Sequence, residues 1–205
     1  MVTAVILAAG AGKRMGVPKQ LLPLGGQAMI CWVAGVACQS AVQDVVVVTG
    51  AHHEAVAEVL QHLPVRLVHN VDWAAGQAGS VKVGIKAALQ YNSAAALFLL
   101  ADQPLITVEL IDQLLATYYA GKGSIIMPVY QGRRGNPVLF DLVQWHDDLL
   151  ALRGDQGARQ IIFEHPEKVA SVSLNCEEIF WDVDTPDDYD RMQKLWTHQF
   201  SKANS

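Results

Sequence analysis

The stretch ILAAGAGKRMGVPKQL, residues Ile6 to Leu21, decides how this chain is interpreted. Its apolar start ends with Ala-Ala-Gly at positions 8–10, and a short loop rich in glycine and basic residues follows. Glycine lets the backbone approach a ligand closely, and successive backbone N–H groups in such a turn converge on an anion. The pattern therefore indicates a strand that leads into a phosphate-binding loop.

The charge distribution supports an anionic ligand at this loop. The chain has 15 Lys and Arg against 20 Asp and Glu, a net charge of -5, which argues against a general nucleic-acid binder. No Asp or Glu occurs between Met1 and Gln43, whereas Lys13, Arg14 and Lys19 all lie there. A locally positive segment in an acidic protein suits a small anion held by a few fixed cations.

The composition is that of a globular protein. The chain has 205 residues, 51% hydrophobic and 17% charged, and this length predicts a single domain spanning residues 1–205. Cys31, Cys38 and Cys176 lack the spacing of a disulfide framework or a metal site, as is usual in a reducing compartment. No stretch approaches the roughly 18 apolar residues of a membrane span. We expect a cytoplasmic protein with no membrane or nucleic-acid partner.

Short apolar runs alternate along the chain with segments of helical pattern. Runs without polar alternation are typical of strands buried on both faces, and the rhythm predicts a three-layer, Rossmann-like α/β fold with a mostly parallel central sheet. Loops after parallel strands share one sheet edge, where such folds bind ligands. The expected strands are TAVIL (3–7), DVVVVTG (44–50), VRLVH (65–69), AALFLLA (95–101) and GSIIMPV (123–129). The expected helices are Gln27–Gln39, His53–His62, Ser80–Gln90 and Thr107–Tyr119.

The last third of the chain is less regular. An edge strand is expected after the loop GRRGNP (132–137), and a strand, a turn and a closing helix are expected within EEIFWDVDTPDDYDRMQKLW (177–196). Asp184, Thr185 and Pro186 have the residue types of a helix start.

Two common nucleotide-binding loops do not fit the first motif. A P-loop requires glycine where this chain has Leu7 and Ser or Thr where it has Arg14. The dinucleotide fingerprint requires glycine at the position of Met15 and an acidic residue at the end of the second strand, which here ends VTGAHH. These mismatches argue against a P-loop ATPase and against an NAD enzyme.

The longer segment ILAAGAGKRMGVPKQLLPLGG (6–26) resembles the signature LAAGxxxRMGxxK of nucleotidyltransferases with a Rossmann-like fold. These include molybdenum cofactor cytidylyltransferases and the MobA-like NTP transferase family. The resemblance implies that the loop holds a nucleoside triphosphate, and that Arg14 and Lys19 neutralise phosphate charge and act in catalysis. The loop residues implied in nucleotide binding are Leu7, Ala8, Ala9, Gly10 and Gly12, together with Arg14 and Lys19.

A second nucleotide contact is implied by HNVDWAAGQAGSVKVGI (69–85), which resembles the family element G-x-x-x-S-x-x-x-G. Gly76, Ser80 and Gly84 occupy its positions, and Gly79 and Ser80 are expected to contact the nucleoside. The alternative for Ser80 is a helix cap.

A metal site is implied by Asp102, which follows the most apolar strand and matches a D-x-P element with Pro104. Mg²⁺ prefers one or two carboxylates with phosphate oxygens, although an Asp here can also simply form a turn. The ending WDVDTPDDY resembles D-[IV]-D-T-P-x-D, which implies Asp184 as the second metal ligand and Asp182 as a weaker one.

An acceptor site is implied by two further matches to the molybdenum cofactor branch. GRRGNPVLF resembles R-G-[HN]-P-x-x-F, and LRGDQGAR resembles its GDxGAR stretch. Arginine pairs suit phosphate recognition, although a solvated turn is the alternative. The implied acceptor ligands are Arg133, Arg134, Asn136 and Arg159.

The resemblance implies a Mg²⁺-dependent transfer of CMP from CTP to the terminal phosphate of molybdopterin, with release of pyrophosphate. The product would then pass to a molybdoenzyme partner. CTP ranks before GTP because the guanylyl branch reads LAGG where this chain has Ala9 within LAAG. The open alternatives are a guanylyltransferase, a methylerythritol-phosphate cytidylyltransferase, a sugar-1-phosphate nucleotidyltransferase and a non-catalytic nucleotide- or molybdopterin-binding protein.

Overall fold

A computed structural model describes residues 1–12, 15–155, 157–175, 177 and 181–201. A central sheet has the strand order β10-β7-β9-β6-β1-β4-β5, with β8 paired to β7, and a separate hairpin joins β2 to β3. The strands are β1 (Val2–Ala8), β2 (Pro23–Leu24), β3 (Gln27–Ala28), β4 (Asp44–Thr49), β5 (Arg66–His69), β6 (Ala95–Leu100), β7 (Ile125–Tyr130), β8 (Arg133–Arg134), β9 (Val138–Asp141) and β10 (Val169–Ser173).

Helices cover both faces of this sheet, as the sequence predicts. Strand β1 has buried residues on both of its faces. Val2, Ala4 and Ile6 pack against the helices on one face of the sheet, and Val5 packs against the helices on the other face. Alternate strand residues point to opposite faces, so an apolar run without polar alternation serves two cores. The helices are α1 (Met29–Gln39), α2 (His53–Leu60), α3 (Gln77–Gln90), α4 (Val108–Tyr119), α5 (Leu142–Ala151), α6 (Arg159–Glu164) and α7 (Pro186–Ser201).

The carboxyl ends of the parallel strands meet at one edge of the sheet. Strand β1 pairs in parallel with β4 and β6, and β4 pairs in parallel with β5. Strand β9 runs antiparallel to both β6 and β7, so β7 runs in the same direction as β6. The loops after β1, β4, β6 and β7 therefore lie on the same side of the molecule.

The closing helix α7 packs against the β2–β3 hairpin rather than against the main sheet. Leu24, Met29, Val183, Met192 and Trp196 form a third buried cluster. The Trp32 and Trp196 rings lie 4.6 Å apart, and the Tyr189 hydroxyl donates to the Pro23 carbonyl. This cluster ties the end of the chain to the loop that follows β1.

Three local expectations were wrong. Helix α1 begins at Met29 because Gly25 and Gly26, with φ of 56° and 93°, form the hairpin turn that pairs Leu24 with Gln27. Helix α3 begins at Gln77, three residues before the expected start at Ser80. The strand after GRRGNP is not an edge strand, since β9 lies between β6 and β7.

The strand expected near residues 177–183 falls partly outside the described residues, and no strand is present at residues 181–184. The closing helix is confirmed, with Pro186 at its start. In the described part of the chain, no helix is both long and apolar enough to cross a bilayer.

Candidate active site

The loop after β1 lies at the carboxyl edge of the sheet. Ala8 and Ala9 are buried, and Gly10 is exposed where the loop turns outward. Gly12 has φ of +66°, and a Cβ there would clash with the Val17 carbonyl, so only glycine fits. Lys13 and the predicted catalytic Arg14 lie outside the described residues.

Lys19 contacts both carboxylates that the sequence assigned to the metal. Its Nζ lies against an Asp102 carboxylate oxygen and 2.6 Å from Oδ1 of Asp184. All three side chains are partly buried, with exposed fractions of 22%, 15% and 27% for Lys19, Asp102 and Asp184. Three residues that the sequence placed in separate motifs thus converge at one point.

Two sets of hydrogen bonds hold Asp184 beside Asp102. The Val183 N–H donates to the Asp102 carbonyl over 3.1 Å, which fixes the final segment beside the loop after β6. At the start of α7, Asp188 Oδ2 accepts from the Thr185 N–H at 2.9 Å, and the Asp188 N–H donates to Thr185 Oγ1 at 3.2 Å. This reciprocal capping box anchors the turn that carries Asp184.

The electrostatics of the cluster follow from burial and charge. Burial alone would lower the pKa of Lys19, but the charge and hydrogen bonds of Asp102 and then Asp184 outweigh burial and raise it. Burial raises the pKa of Asp182, and the negative charges of Asp102 and Asp184 raise it further. Lys19 is therefore a firmly charged cation among three acidic residues.

The Asp102 and Asp184 side chains fit a divalent cation. Both carboxylates already contact one positively charged atom, so their oxygens converge on a single cation position. Mg²⁺ and Mn²⁺ are hard ions that take such oxygens and complete their shell with phosphate or water. No group of three or more His, Cys, Asp or Glu suited to a metal occurs among the described residues, so a pair of protein ligands is what these residues offer.

Ser80 lies in the first turns of α3 and is buried. Its Oγ accepts a hydrogen bond from Asn70 Nδ2 over 3.0 Å, and Asn70 Oδ1 accepts from the Asp72 N–H over 3.1 Å. Ser80 is therefore not the helix cap, and it is held from the end of β5. Gly79 packs beside it, since a Cβ at Gly79 would lie 3.3 Å from Asn70 Nδ2.

The glycines of this second element have packing roles. A Cβ on Gly84 would overlap Val5 of β1, so glycine allows α3 to lie close on the sheet. A Cβ on Gly76 would overlap the backbone of Gly154, and the Ala78 N–H donates to the Gly154 carbonyl over 3.0 Å. Gly154 is thereby fixed beside the start of α3.

The predicted acceptor residues lie on different elements of the fold. Arg133 and Arg134 form β8, which pairs with the carboxyl end of β7 and is exposed. Asn136 follows in the loop before β9, and Arg159 begins α6 and is exposed. Neighbouring residues in a strand point to opposite faces, so Arg133 and Arg134 do not form a fork on one side.

Sequence reasoning missed Gln20. Its side chain is only 3% exposed, and Nε2 donates to the carbonyls of Ala8 and Gly10 at 3.4 and 3.1 Å. A glutamine in a basic loop is normally solvent-exposed, so only the tertiary structure reveals this contact. Sequence reasoning also missed Asn70.

Comparison with known proteins identifies the family of this chain. The sequence profile of the MobA-like NTP transferase domain matches residues 4–169. The chain belongs to this family. The matched region begins within β1 and includes the loop that follows, Ser80 and Asp102, whereas Asp184 lies beyond it.

The chain is similar in sequence to an oxidoreductase and to a cytidylyltransferase. Nicotine blue oxidoreductase of Paenarthrobacter nicotinovorans is 34% identical over 192 residues, which are 90% of this chain and 92% of that protein. Molybdenum cofactor cytidylyltransferase of Escherichia coli (strain K12) is 25% identical over 208 residues, covering 96% and 97%.

Solved structures match over nearly the whole chain. Rv0371C from Mycobacterium tuberculosis H37Rv, crystallised in complex with manganese, has a TM-score of 0.79 at 26% identity and covers 94% of this chain and 98% of its own. The expected family, the three-layer fold and membership of a nucleotidyltransferase family are thus confirmed.

Proposed function

We propose that this protein transfers CMP from CTP to the terminal phosphate of molybdopterin and releases pyrophosphate. The observation that carries the proposal is the contact of Lys19 with Asp102 and Asp184 at the carboxyl edge of the sheet, beside a glycine loop. This arrangement offers cations and amides for a triphosphate and two carboxylates for a metal. Membership of the MobA-like family supports nucleotidyl transfer as the reaction class.

The transfer needs alignment and charge neutralisation, with no covalent protein nucleophile. An oxygen of the acceptor phosphate bonds to the α-phosphorus of CTP, and the bond from that phosphorus to the bridging oxygen of pyrophosphate breaks. Lys19 and Arg14 would stabilise the negative charge on the triphosphate and on the leaving pyrophosphate. Ser80 and Gly79 would contact the nucleoside.

Asp102 and Asp184 would hold a divalent cation, and we propose Mg²⁺. When bound, it would neutralise triphosphate charge and polarise the α-phosphate. The named manganese complex of Rv0371C supports a divalent metal in a relative of this chain.

CTP is proposed over GTP because of Ala9. Ala9 is 8% exposed, and a Cβ on Gly50 would overlap both Ala9 and Trp73, so the loop is closely packed at Ala9. A methyl group at this position leaves less room than the first glycine of LAGG and suits the smaller pyrimidine. The named cytidylyltransferase relative supports the same choice.

We propose an anionic acceptor. Arg133 and Arg134 of β8, Asn136 and Arg159 at the start of α6 would supply donors to an anionic acceptor such as molybdopterin. A molybdoenzyme that receives the product is proposed as a protein partner.

A second candidate is a nucleotide-dependent oxidoreductase, favoured by the 34% identity to nicotine blue oxidoreductase. A dinucleotide such as NADPH also carries a pyrophosphate that a glycine loop can hold. The contact of Lys19 with two carboxylates supports nucleotidyl transfer instead, because hydride transfer needs no metal carboxylates.

The test is pyrophosphate release with Mg²⁺, molybdopterin and each of CTP, GTP, ATP and UTP in turn. We expect release with CTP, and a loss of about 10²–10³ in kcat for Asp102→Asn. Asp148→Asn, an exposed residue of α5, is the matched control and should behave as wild type. Oxidation of NADH or NADPH with a quinone acceptor, in the absence of pyrophosphate release, would instead establish the second candidate.

A further inference from the structure

Gln20 is a buried polar residue beside the phosphate loop. It lies in a short 3-10 helix, Lys19–Leu21, next to the lysine that contacts Asp102 and Asp184. Its side-chain amide donates to two loop carbonyls, those of Ala8 and Gly10. A buried amide that donates hydrogen bonds to two carbonyl groups of one loop fixes the orientation of both peptide planes.

The two contacts of Gln20 also fix the direction of the N–H groups that follow Ala8 and Gly10. In a trans peptide the C=O and the following N–H point in opposite directions. The peptides after Ala8 and Gly10 are trans, so the N–H groups of Ala9 and Ala11 point away from Gln20. Within the described part of the chain, neither N–H donates to a protein acceptor.

We propose that Gln20 is a positioning residue that turns the N–H groups of Ala9 and Ala11 toward the bound triphosphate. This inference rests on the proposed function, in that the loop binds a triphosphate. The same short helix then supplies both the charge at the site, through Lys19, and the loop conformation, through Gln20. Without Gln20 the peptides can flip, and a smaller fraction of loops is competent to bind.

The first test compares Gln20→Met with wild type for binding of inorganic tripolyphosphate by titration calorimetry. Methionine has nearly the same length but no donor. If about one loop in ten stays competent, the dissociation constant rises about tenfold. Gln113→Met, an exposed glutamine of α4, is the matched control and should bind as wild type. With CTP as substrate, Gln20→Met should raise KM more than it lowers kcat.

The second test is the pH profile of Gln20→Glu. A protonated glutamic acid can donate to one of the two carbonyls, whereas the carboxylate donates to neither and repels both. Burial raises the pKa of such a carboxyl group. Binding by Gln20→Glu, measured relative to Gln20→Met, should therefore recover as the pH falls from about 8 to about 5. If the side chain at position 20 only fills space, binding by Gln20→Glu and by Gln20→Met will change with pH in parallel.

The third test uses the wild-type protein, so it can still overturn the proposal if both variants fail to fold. On addition of tripolyphosphate, the amide proton resonances of Ala9 and Ala11 should move downfield in NMR spectra, as for N–H groups that gain a charged acceptor. Unmoved resonances, or wild-type affinity in a folded Gln20→Met, would overturn the role of Gln20. Wild-type protein that binds no triphosphate at all would instead overturn the proposed function.

Discussion

The ammonium nitrogen of Lys19 lies 2.6 Å from a carboxylate oxygen of Asp184, although 165 positions separate the two residues in the chain. The same nitrogen contacts Asp102. Lys19 therefore offsets part of the negative charge of the two carboxylates. Under the proposed function, a metal and a triphosphate would displace part of this contact, and the entering cation would then limit the repulsion between the acidic residues.

The first prediction concerns Lys19→Met. Removing a positive charge from beside two carboxylates should strengthen binding of Mn²⁺ in the absence of nucleotide about tenfold, because metal and ammonium no longer compete. The same change should weaken CTP binding by at least tenfold, because the triphosphate loses a cation. Electron paramagnetic resonance reports free Mn²⁺, and calorimetry reports CTP.

Lys194→Met provides the control, since Lys194 is exposed on α7 and the change in net charge is the same. If Lys19→Met bound Mn²⁺ more weakly than wild type, the lysine would not be competing with a metal for these carboxylates.

The second prediction concerns Asp184→Asn. Asparagine keeps the shape but removes one of two proposed metal ligands, so kcat for pyrophosphate release should fall about a hundredfold. Mn²⁺ affinity should fall in parallel. Asp187→Asn, an exposed residue three positions along, should leave both quantities unchanged. Full activity of Asp184→Asn would remove Asp184 from the metal site.

The third prediction contrasts two helical glycines in a measurement of unfolding free energy. Gly84→Ala should lose about 1–3 kcal/mol, because its Cβ would overlap the stiff, fully buried side chain of Val5. Gly35→Ala should gain about 0.5–1 kcal/mol, because a Cβ in α1 at that position meets open space and alanine favours the helix. Equal effects would mean that α3 does not lie as close to β1 as described.

The fourth prediction concerns pH and Tyr118, far from the active site. The Tyr118 hydroxyl donates to Asp141 Oδ2 over 2.9 Å, and burial followed by this hydrogen bond raises its pKa from 10.0 to about 12. In the unfolded chain the phenol ionises near pH 10, so between the two values the folded state binds more protons. Unfolding free energy should therefore fall as the pH rises through this range.

Tyr118→Phe should lose about 1 kcal/mol near neutral pH, where the hydrogen bond is intact. The stability difference between wild type and Tyr118→Phe should shrink as the pH rises from 10.0 toward about 12. Tyr119→Phe is the control, since Tyr119 is 60% exposed. A constant difference across this range would show that the Tyr118 phenol does not ionise differently in the two states.

Much of the fold could be predicted because its signals are local. Apolar runs without alternation mark β1, β4, β5, β6 and β7, and their carboxyl edge carries Asp102 as expected. The Gly25-Gly26 pair is also a local signal, and its hairpin was missed only because the residues after it continue the helical pattern. Strand β9 has three consecutive buried apolar residues, which is typical of an interior strand.

The sequence by itself determined the layers, the glycine-rich loop after β1 and the residue types near the carboxyl edge of the sheet, because periodicity and glycine spacing act over a few residues. It also carried the family signature. Only the tertiary structure decided that Lys19 lies against Asp102 and Asp184, that Gln20 points inward at Ala8 and Gly10, and that β9 lies inside the sheet. Those contacts join distant parts of the chain, and they depend on how α7 packs against the β2–β3 hairpin and on the hydrogen bond from Val183 to Asp102. No short-range pattern encodes such packing.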